Sequence, residues 1–275
     1  MPDFIGVHGR SEPYLNLEHL IETSLFSAIH DEICYGLAQV ETSYTGGSHK
    51  WMGIVPPEFA HDEYIDYGET IEKFSKQEFL RFISLADEEH DYDLSNWKKH
   101  TFGEDAEIPL SAAQFRYLKY RYGVYFPWKV FFEFVEGNLN WNDKCDGNRP
   151  FSKIALEKFP LTVKFIRSLP FKSIGRCNLL GLEANDHATI HRDNYGKQNE
   201  SLINDFISFC PANNKRLFLW DERTKSKTYI QGRVYTFNDA NYHGVDAAPY
   251  FRYSIRVDGV FTDEFRAKIS VMRNT

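Results

Sequence analysis

Three side chains of this protein have the types and the spacing to hold a metal ion. His191 and Asp193 stand two apart in Ile190-His191-Arg192-Asp193. The motif ends a predicted strand, where alternation turns both side chains to one face. A second imidazole must come from elsewhere. His243, in Asn241-Tyr242-His243-Gly244, lies 50 positions after Asp193, far enough for several strands to leave and return. Two imidazoles and one carboxylate make a three-ligand face. Such a face leaves up to three positions open on an octahedral iron(II), as a reaction requires when a co-substrate and O2 must share the ion. A structural zinc would close its shell and usually recruit cysteine. An HxD pair also arises by chance, and a single His is more often packed or on the surface, so the pair by itself decides nothing.

A second group of polar residues follows nine positions after His243, in Phe251-Arg252-Tyr253-Ser254-Ile255-Arg256-Val257. Read as a strand, it puts Arg252, Ser254 and Arg256 on one face and the four apolar residues on the other. Two Arg and a Ser on one face suit a pocket for a carboxylate, because a guanidinium is a planar fork and a hydroxyl adds a further bond. An edge strand with a solvated polar face is the alternative.

The order HxD, then His, then R-x-S on the last strand of the run resembles the iron(II)/2-oxoglutarate-dependent oxygenases. Phe237-Asn238-Asp239 ahead of His243, and the RYSIRV run behind it, are similar to the prolyl-hydroxylase-like and aspartyl/asparaginyl-hydroxylase-like branches. The lead-in from Ser168-Leu169-Pro170 to Asp193 also looks like the aspartyl-hydroxylase branch, which often lacks the carboxylate ligand present here as Asp193. The resemblance spans roughly residues 168–262.

The resemblance implies an α+β fold with a double-stranded β-helix (jelly-roll, cupin-like) core. It implies iron(II) held by His191, Asp193 and His243. Arg252 would meet the distal carboxylate of 2-oxoglutarate, Ser254 would assist, and Arg256 is the reserve. The implied reaction consumes O2 and 2-oxoglutarate, releases succinate and CO2, and hydroxylates an unactivated C–H bond. An amino-acid-like small molecule or a peptide or protein side chain is the expected substrate. Asp193 favours hydroxylation over halogenation, with desaturation or cyclisation still open.

Other residues are placed near this centre by position. Arg176 and Asn178 share a face of the strand entering the site, and Asn178 could touch 2-oxoglutarate. Arg192 and Tyr195 flank the metal motif, and Trp220, Asp221 and Arg223 would edge the mouth of the barrel. Packing or surface roles are the alternative for each.

Competing readings have less behind them. His191-Arg192-Asp193 matches a protein-kinase catalytic loop, but Gln198 stands where that loop needs Asn, and no DFG, Gly-rich loop or V-A-I-K run accompanies it. His187 and His191 have the spacing of a helical zinc pair without the Glu of HExxH, and Thr189-Ile190 favours a strand. A metal-dependent hydrolase therefore stays open. So does a cupin-like binding protein without turnover.

The elements that must position these residues change character near position 170. Before it, Phe79, Phe82, Ile83 and Ala86 recur at helical spacing within Lys76–Glu89, and Phe115, Leu118 and Tyr122 do so again. Pro160 suits the first turn of a helix running to Ser168. Polar loops are expected over Thr42–Thr70 and Glu136–Pro150. After it come short runs rich in β-branched and aromatic residues: 176–183, 187–191, 202–210, 216–220, 228–231, 233–237 and 251–261. The expectation is a single oxygenase domain over residues 1–275, in which a helical and loop flank (1–170) shapes the pocket of a β core (171–265).

Composition narrows the partners. The net charge of −7 argues against broad binding to a phosphate backbone, and so against nucleic acid. The acid is concentrated before position 171, and the less acidic remainder suits an anionic ligand. No apolar run approaches the ~20 residues of a membrane span. The N-terminus lacks a signal-peptide layout, and the four cysteines form no CxxC pair, which together suggest reduced thiols in a cytoplasm. Nothing indicates an oligomeric state.

Overall fold

The structure is a computed structural model that describes residues 4–42, 67–102, 108–126, 129–136, 147–193 and 205–272. The chain forms two compact units, Met1–Thr42 with Val130–Thr275, and Ser43–Lys129. The first unit thus draws on both sides of the change in sequence texture near position 170.

The first unit is mixed helix and antiparallel sheet. β1 (Tyr14–Asn16), β2 (Val130–Glu133), β3 (Phe171–Leu182), β5 (Asp205–Phe209), β8 (Val234–Phe237) and β10 (Arg252–Phe261) form a sheet in the order β1-β8-β5-β10-β3-β2. β4 (Ala188–His191), β6 (Leu217–Asp221), β7 (Ser226–Tyr229) and β9 (His243–Val245) form a second sheet in the order β4-β9-β6-β7. From β3 onward the chain shuttles between the sheets, with β3, β5, β8 and β10 in one and the intervening strands in the other. Strands remote in sequence therefore become neighbours, as β4 and β9 do.

β10 lies between β5 and β3 and is buried at nearly every position. That excludes the solvated edge strand. Tyr253, Ile255 and Val257 point into the main core, where they meet α1 (Phe26–Leu37), α6 (Pro160–Ser168) and α7 (Asp263–Val271). Arg252, Ser254, Arg256 and Asp258 take the opposite face, so the alternation read from sequence continues two residues further. Those four residues are also buried, and a buried polar face requires partners.

The helices are built from ordinary amphipathic spacing. α1 buries Phe26, Ile29 and Ile33, and α6 begins at Pro160, as its missing N–H and fixed φ favour. The residue before it, Phe159, supplies no side-chain cap. The carboxylate of Glu32 on α1 does so instead, accepting from the Leu161 and Thr162 N–H groups at 2.7 Å each and from the Thr162 hydroxyl at 2.6 Å. This one side chain satisfies orphan donors of α6 and ties the two helices together. α5 (Lys153–Lys158) precedes α6 and is capped by Ser152.

The second unit holds α2 (Tyr67–Glu72), α3 (Lys76–Ile83) and α4 (Ala112–Tyr122) around an aromatic core that includes Phe79, Phe82, Phe102 and Phe115. Capping boxes start both longer helices, Ser75 with Glu78 and Ser111 with Gln114. α3 ends at Ile83, short of the expected Glu89. The acidic run Asp87-Glu88-Glu89 that follows would oppose the helix dipole at a C-terminus. The loop expected over Thr42–Thr70 lies mostly outside the described residues, and its last part is helical, in α2. No helix among the described residues is long and apolar enough to cross a membrane.

Replacing Glu32 by Ala should destabilise the fold by about 1–2 kcal/mol, since it removes a helix cap with several bonds. Urea denaturation of both proteins measures this, and an unchanged midpoint would refute the capping role.

Candidate metal centre

The two imidazoles are brought together by strand pairing. β4 and β9 run antiparallel with His191 directly opposite His243, and their ring centroids lie 4.4 Å apart. Gly244 permits this approach. A Cβ there would meet the Phe218 ring at 2.8 Å and the Ala188 carbonyl oxygen at 2.9 Å.

Each imidazole is oriented by a backbone carbonyl two residues upstream. His191 Nδ1 lies 2.6 Å from Thr189 O, and His243 Nδ1 lies 2.9 Å from Asn241 O. Donation of Nδ1–H to these oxygens assigns the tautomer and leaves the Nε2 lone pair for a metal. Burial first, and neighbouring His243 second, push His191 down to about 4, so its ring is neutral near pH 7. The Phe237 ring backs His243 at 4.9 Å.

β4 has ended by Asp193, where the chain bends, yet this residue is held in place by its N–H, which donates to Asp239 O at 2.9 Å. Its Oδ1 lies 3.6 Å from His191 Nε2 and 3.8 Å from His243 Nε2. All three donor atoms fall within 4.8 Å of one another. Two donors each about 2.1 Å from one ion at right angles stand about 3 Å apart, so a small closure brings the set onto a common centre. Among the described residues no other three His, Cys, Asp or Glu converge in this way. Two pre-oriented imidazoles, one carboxylate and no thiolate fit a divalent first-row ion such as iron(II).

Behind the ligands lies a buried charge cluster. Arg256 donates from Nη1 to Asp193 Oδ2 at 3.0 Å, from Nη2 to Asp239 Oδ2 at 2.7 Å and from Nε to Asp258 Oδ1 at 3.0 Å. Its guanidinium stacks 3.9 Å from the Phe206 ring centroid. Burial opposes the charge of Arg256, but Asp258, Asp239 and Asp193 outweigh it and raise its affinity for the proton. Arg176 joins from the rear, with Nη2 at 3.2 Å from Asp258 Oδ2. Three carboxylates against two guanidiniums leave the cluster net negative, which favours a cation at the ligand face.

The remaining residues singled out by sequence fall in different places. Arg252 is fully buried, and its guanidinium donates to the carbonyls of Glu183, Asp186, Asp246, Ala248 and Tyr250. It fastens the β3–β4 turn to the β9–β10 loop. Ser254 accepts from Lys215 Nζ at 2.6 Å, and the same ammonium donates to Leu180 O at 3.3 Å. Burial, then the nearby charge of Arg252, push Lys215 down to about 7. Asn178 is buried on β3 opposite Arg256. Arg192 lies over the Tyr242 ring at 5.0 Å, while Trp220, half-buried on β6, donates its backbone N–H to Tyr242 O. Asp221 accepts from the Arg223 and Thr224 N–H groups and so shapes the β6–β7 turn. Tyr195 lies outside the described residues.

Sequence reasoning did not find Lys215, Asp239 or Asp258 as part of this assembly. Lys215 sits in a polar turn, Pro211–Arg216, with nothing in its neighbours to mark it. Asp258 was legible in principle, as the next residue on the Arg252 face.

No protein-family model matches the chain, and no curated protein matches it. Among solved structures it is similar to a prolyl hydroxylase from Trichoplax adhaerens in complex with a hypoxia inducible factor peptide fragment, at 17% identity and a TM-score of 0.27, over 43% of this chain and 61% of that one. It is also similar to a Pseudomonas putida prolyl-4-hydroxylase (10%, TM-score 0.25, 40% and 66%) and to a Bordetella pertussis cupin domain (7%, TM-score 0.22, 30% and 78%). The chain thus spans less than two thirds of either hydroxylase. The resemblance read from HxD, His and R-x-S is to the same kind of protein as these hydroxylases. At these TM-scores no residue role is carried across from them, and the metal centre stands on its own geometry.

Gly244→Ala should push β9 from β4, weaken Mn2+ binding by about 10-fold or more and cost about 1–3 kcal/mol of stability. Calorimetric titration and urea denaturation check both. Unchanged metal affinity would show that the close approach does not set the ligand spacing.

Proposed function

We propose that the protein is an iron(II)- and 2-oxoglutarate-dependent oxygenase that hydroxylates an unactivated C–H bond of an amino-acid-like small molecule or a peptide side chain, with release of succinate and CO2. The convergence of His191, Asp193 and His243 on one centre carries this reading. The shuttling of β3 to β10 between two antiparallel sheets supports a double-stranded β-helix as its core. Residues 1–275 are then read as one oxygenase domain.

Bound iron(II) supplies the O2 chemistry that amino-acid side chains lack. The protein's part is to hold and orient. His191 and His243 present Nε2 lone pairs fixed by their carbonyl bonds, and Asp193 offers Oδ1. The distal carboxylate of 2-oxoglutarate is assigned to the face of β10 that carries Arg252 and Ser254, with Lys215 as an added cation. Ser254 stands two residues from Arg256 on that face, about 7 Å at the strand rise of 3.4 Å per residue. That is the span of a short dicarboxylate reaching from the metal ligands. Asn178 borders the same space. Arg192 and Trp220 stand beside Tyr242, where they would meet a substrate, and a guanidinium there suits a substrate carboxylate.

The direct test is succinate release from 2-oxoglutarate in air with iron(II) and ascorbate. Release is expected from the wild type and absent in His191→Ala and Asp193→Ala, which should also lose metal. A wild type that binds metal and yields no succinate with any amino acid or peptide offered would favour a cupin-like binding protein.

Lys215→Met should keep metal and weaken 2-oxoglutarate binding by about 2 kcal/mol or more, roughly 30-fold. Arg252→Ala should weaken it too. The pH dependence has a definite sign. Lys215 titrates at about 7 without ligand, and a carboxylate partner favours its charged form. Binding above that pH must take up a proton, so affinity falls as pH rises, approaching tenfold per unit. Calorimetry across pH in buffers of different ionisation enthalpy reads both effects. An affinity independent of pH between about 6 and 9 would remove Lys215 from the anchor.

A further inference from the structure

We propose that Arg256 is a positioning residue that holds Asp193 as a one-oxygen metal ligand, and so keeps the coordination positions opposite the ligand face open. The proposal rests on the metal-centre reading above and goes beyond it, since it concerns how the carboxylate is presented. The observation is the division of labour between the two oxygens of Asp193. Oδ1 faces both Nε2 atoms, at 3.6 and 3.8 Å. Oδ2 is taken by Arg256 Nη1 at 3.0 Å. A carboxylate with both oxygens available can chelate a single ion and fill two positions. One whose second oxygen is held by a guanidinium offers only one.

Arg256 is itself held firmly enough to do this. Asp239 accepts from Nη2, Asp258 accepts from Nε, and the Phe206 ring covers one face of the guanidinium. Asp239 acts twice, because its backbone carbonyl also accepts the N–H of Asp193. The metal ligand is therefore fixed through both its backbone and its side chain by one Asp–Arg pair. Phe206 in turn packs on Phe237 at 5.1 Å, and Phe237 packs on His243. Arg256 and a ligand imidazole thus rest on the same aromatic pair. Arg176 braces Asp258 from behind, and the charge of Asp193 reaches it as well. A merely structural role in neutralising buried carboxylates would be common to both arginines, whereas the hydrogen bond to Asp193 Oδ2 is made by Arg256.

The test is Co2+ titration of the full chain, followed by the visible spectrum, whose intensity reports coordination number and geometry. Arg256→Gln, Arg256→Lys and Arg176→Met are compared with the wild type, and circular dichroism reports folding. Arg256→Gln should raise the Co2+ dissociation constant by about 10- to 100-fold and alter the bound-ion spectrum. Arg256→Lys keeps the charge without the fork, so it should show the same spectral change with a smaller loss of affinity. It carries the test if the Gln variant does not fold. Arg176→Met should lower stability while leaving the Co2+ spectrum as in the wild type. A folded Arg256 variant with wild-type affinity and spectrum would overturn the proposal. So would an Arg176→Met spectrum changed as much as that of Arg256→Gln. A wild type that binds no Co2+ would instead sink the metal-centre reading, and this inference with it.

Discussion

The pairing of β4 with β9 is the contact on which the site depends. It sets His191 across from His243 although the two lie far apart in the chain, and it does so at a spacing that only a residue without a side chain at 244 allows. A ligand pair made by strand register has a physical advantage over one made by loops. The ladder is irregular between Ala188 and His191, and past that point His191 stands in register with His243; a one-residue slip of either strand would turn its imidazole to the opposite face. The backbone carbonyls that accept from each Nδ1 belong to Thr189 within β4 and to Asn241 just before β9. Position and tautomer are thus set by the same pair of strands.

Burying charge around such a centre is costly unless every group is paired. The structure meets this by collecting Arg176, Asp258, Arg256, Asp239 and Asp193 into one continuous chain of ion pairs. The chain ends at Asp193, the candidate carboxylate ligand, and its surplus of acid is what a divalent ion would neutralise. The other end of the β10 face is cationic, with Arg252 and Lys215 near Ser254. One strand therefore carries carboxylate at one end, toward Asp258, and cationic side chains at the other, toward Arg252.

Arg252 shows how a side chain's surroundings change its meaning. On sequence it was the outstanding carboxylate anchor. In the fold its guanidinium is surrounded by main-chain carbonyls of two connecting segments, which makes it a clasp between them. Lys215 supplies a second cation there, through a contact that joins the turn before β6 to the middle of β10.

Local pattern was enough for a good deal. Alternation in Arg252–Val257 divides core from polar face because a strand has period two, and Pro160 marks the start of α6 because proline lacks the donor a first turn does not use. The strands β3 to β8 are legible as runs of β-branched and aromatic residues between turn signals, and the three candidate metal ligands are legible from residue type and spacing. The short strands β1, β2 and β9 are not, since each is defined by pairing with a strand remote in the chain, β8, β3 and β4, and α1, whose Phe26, Ile29 and Ile33 have ordinary helical spacing, was passed over. Which carboxylate meets which arginine, where Lys215 points, and that Glu32 caps a helix more than a hundred residues away depended on contacts between distant segments. Such contacts are selected by the packing of whole sheets and helices. Sequence by itself determined which residues could bind a metal and an acid; the tertiary structure decided which are close enough to do so together, because distance in space follows from strand order and not from distance along the chain.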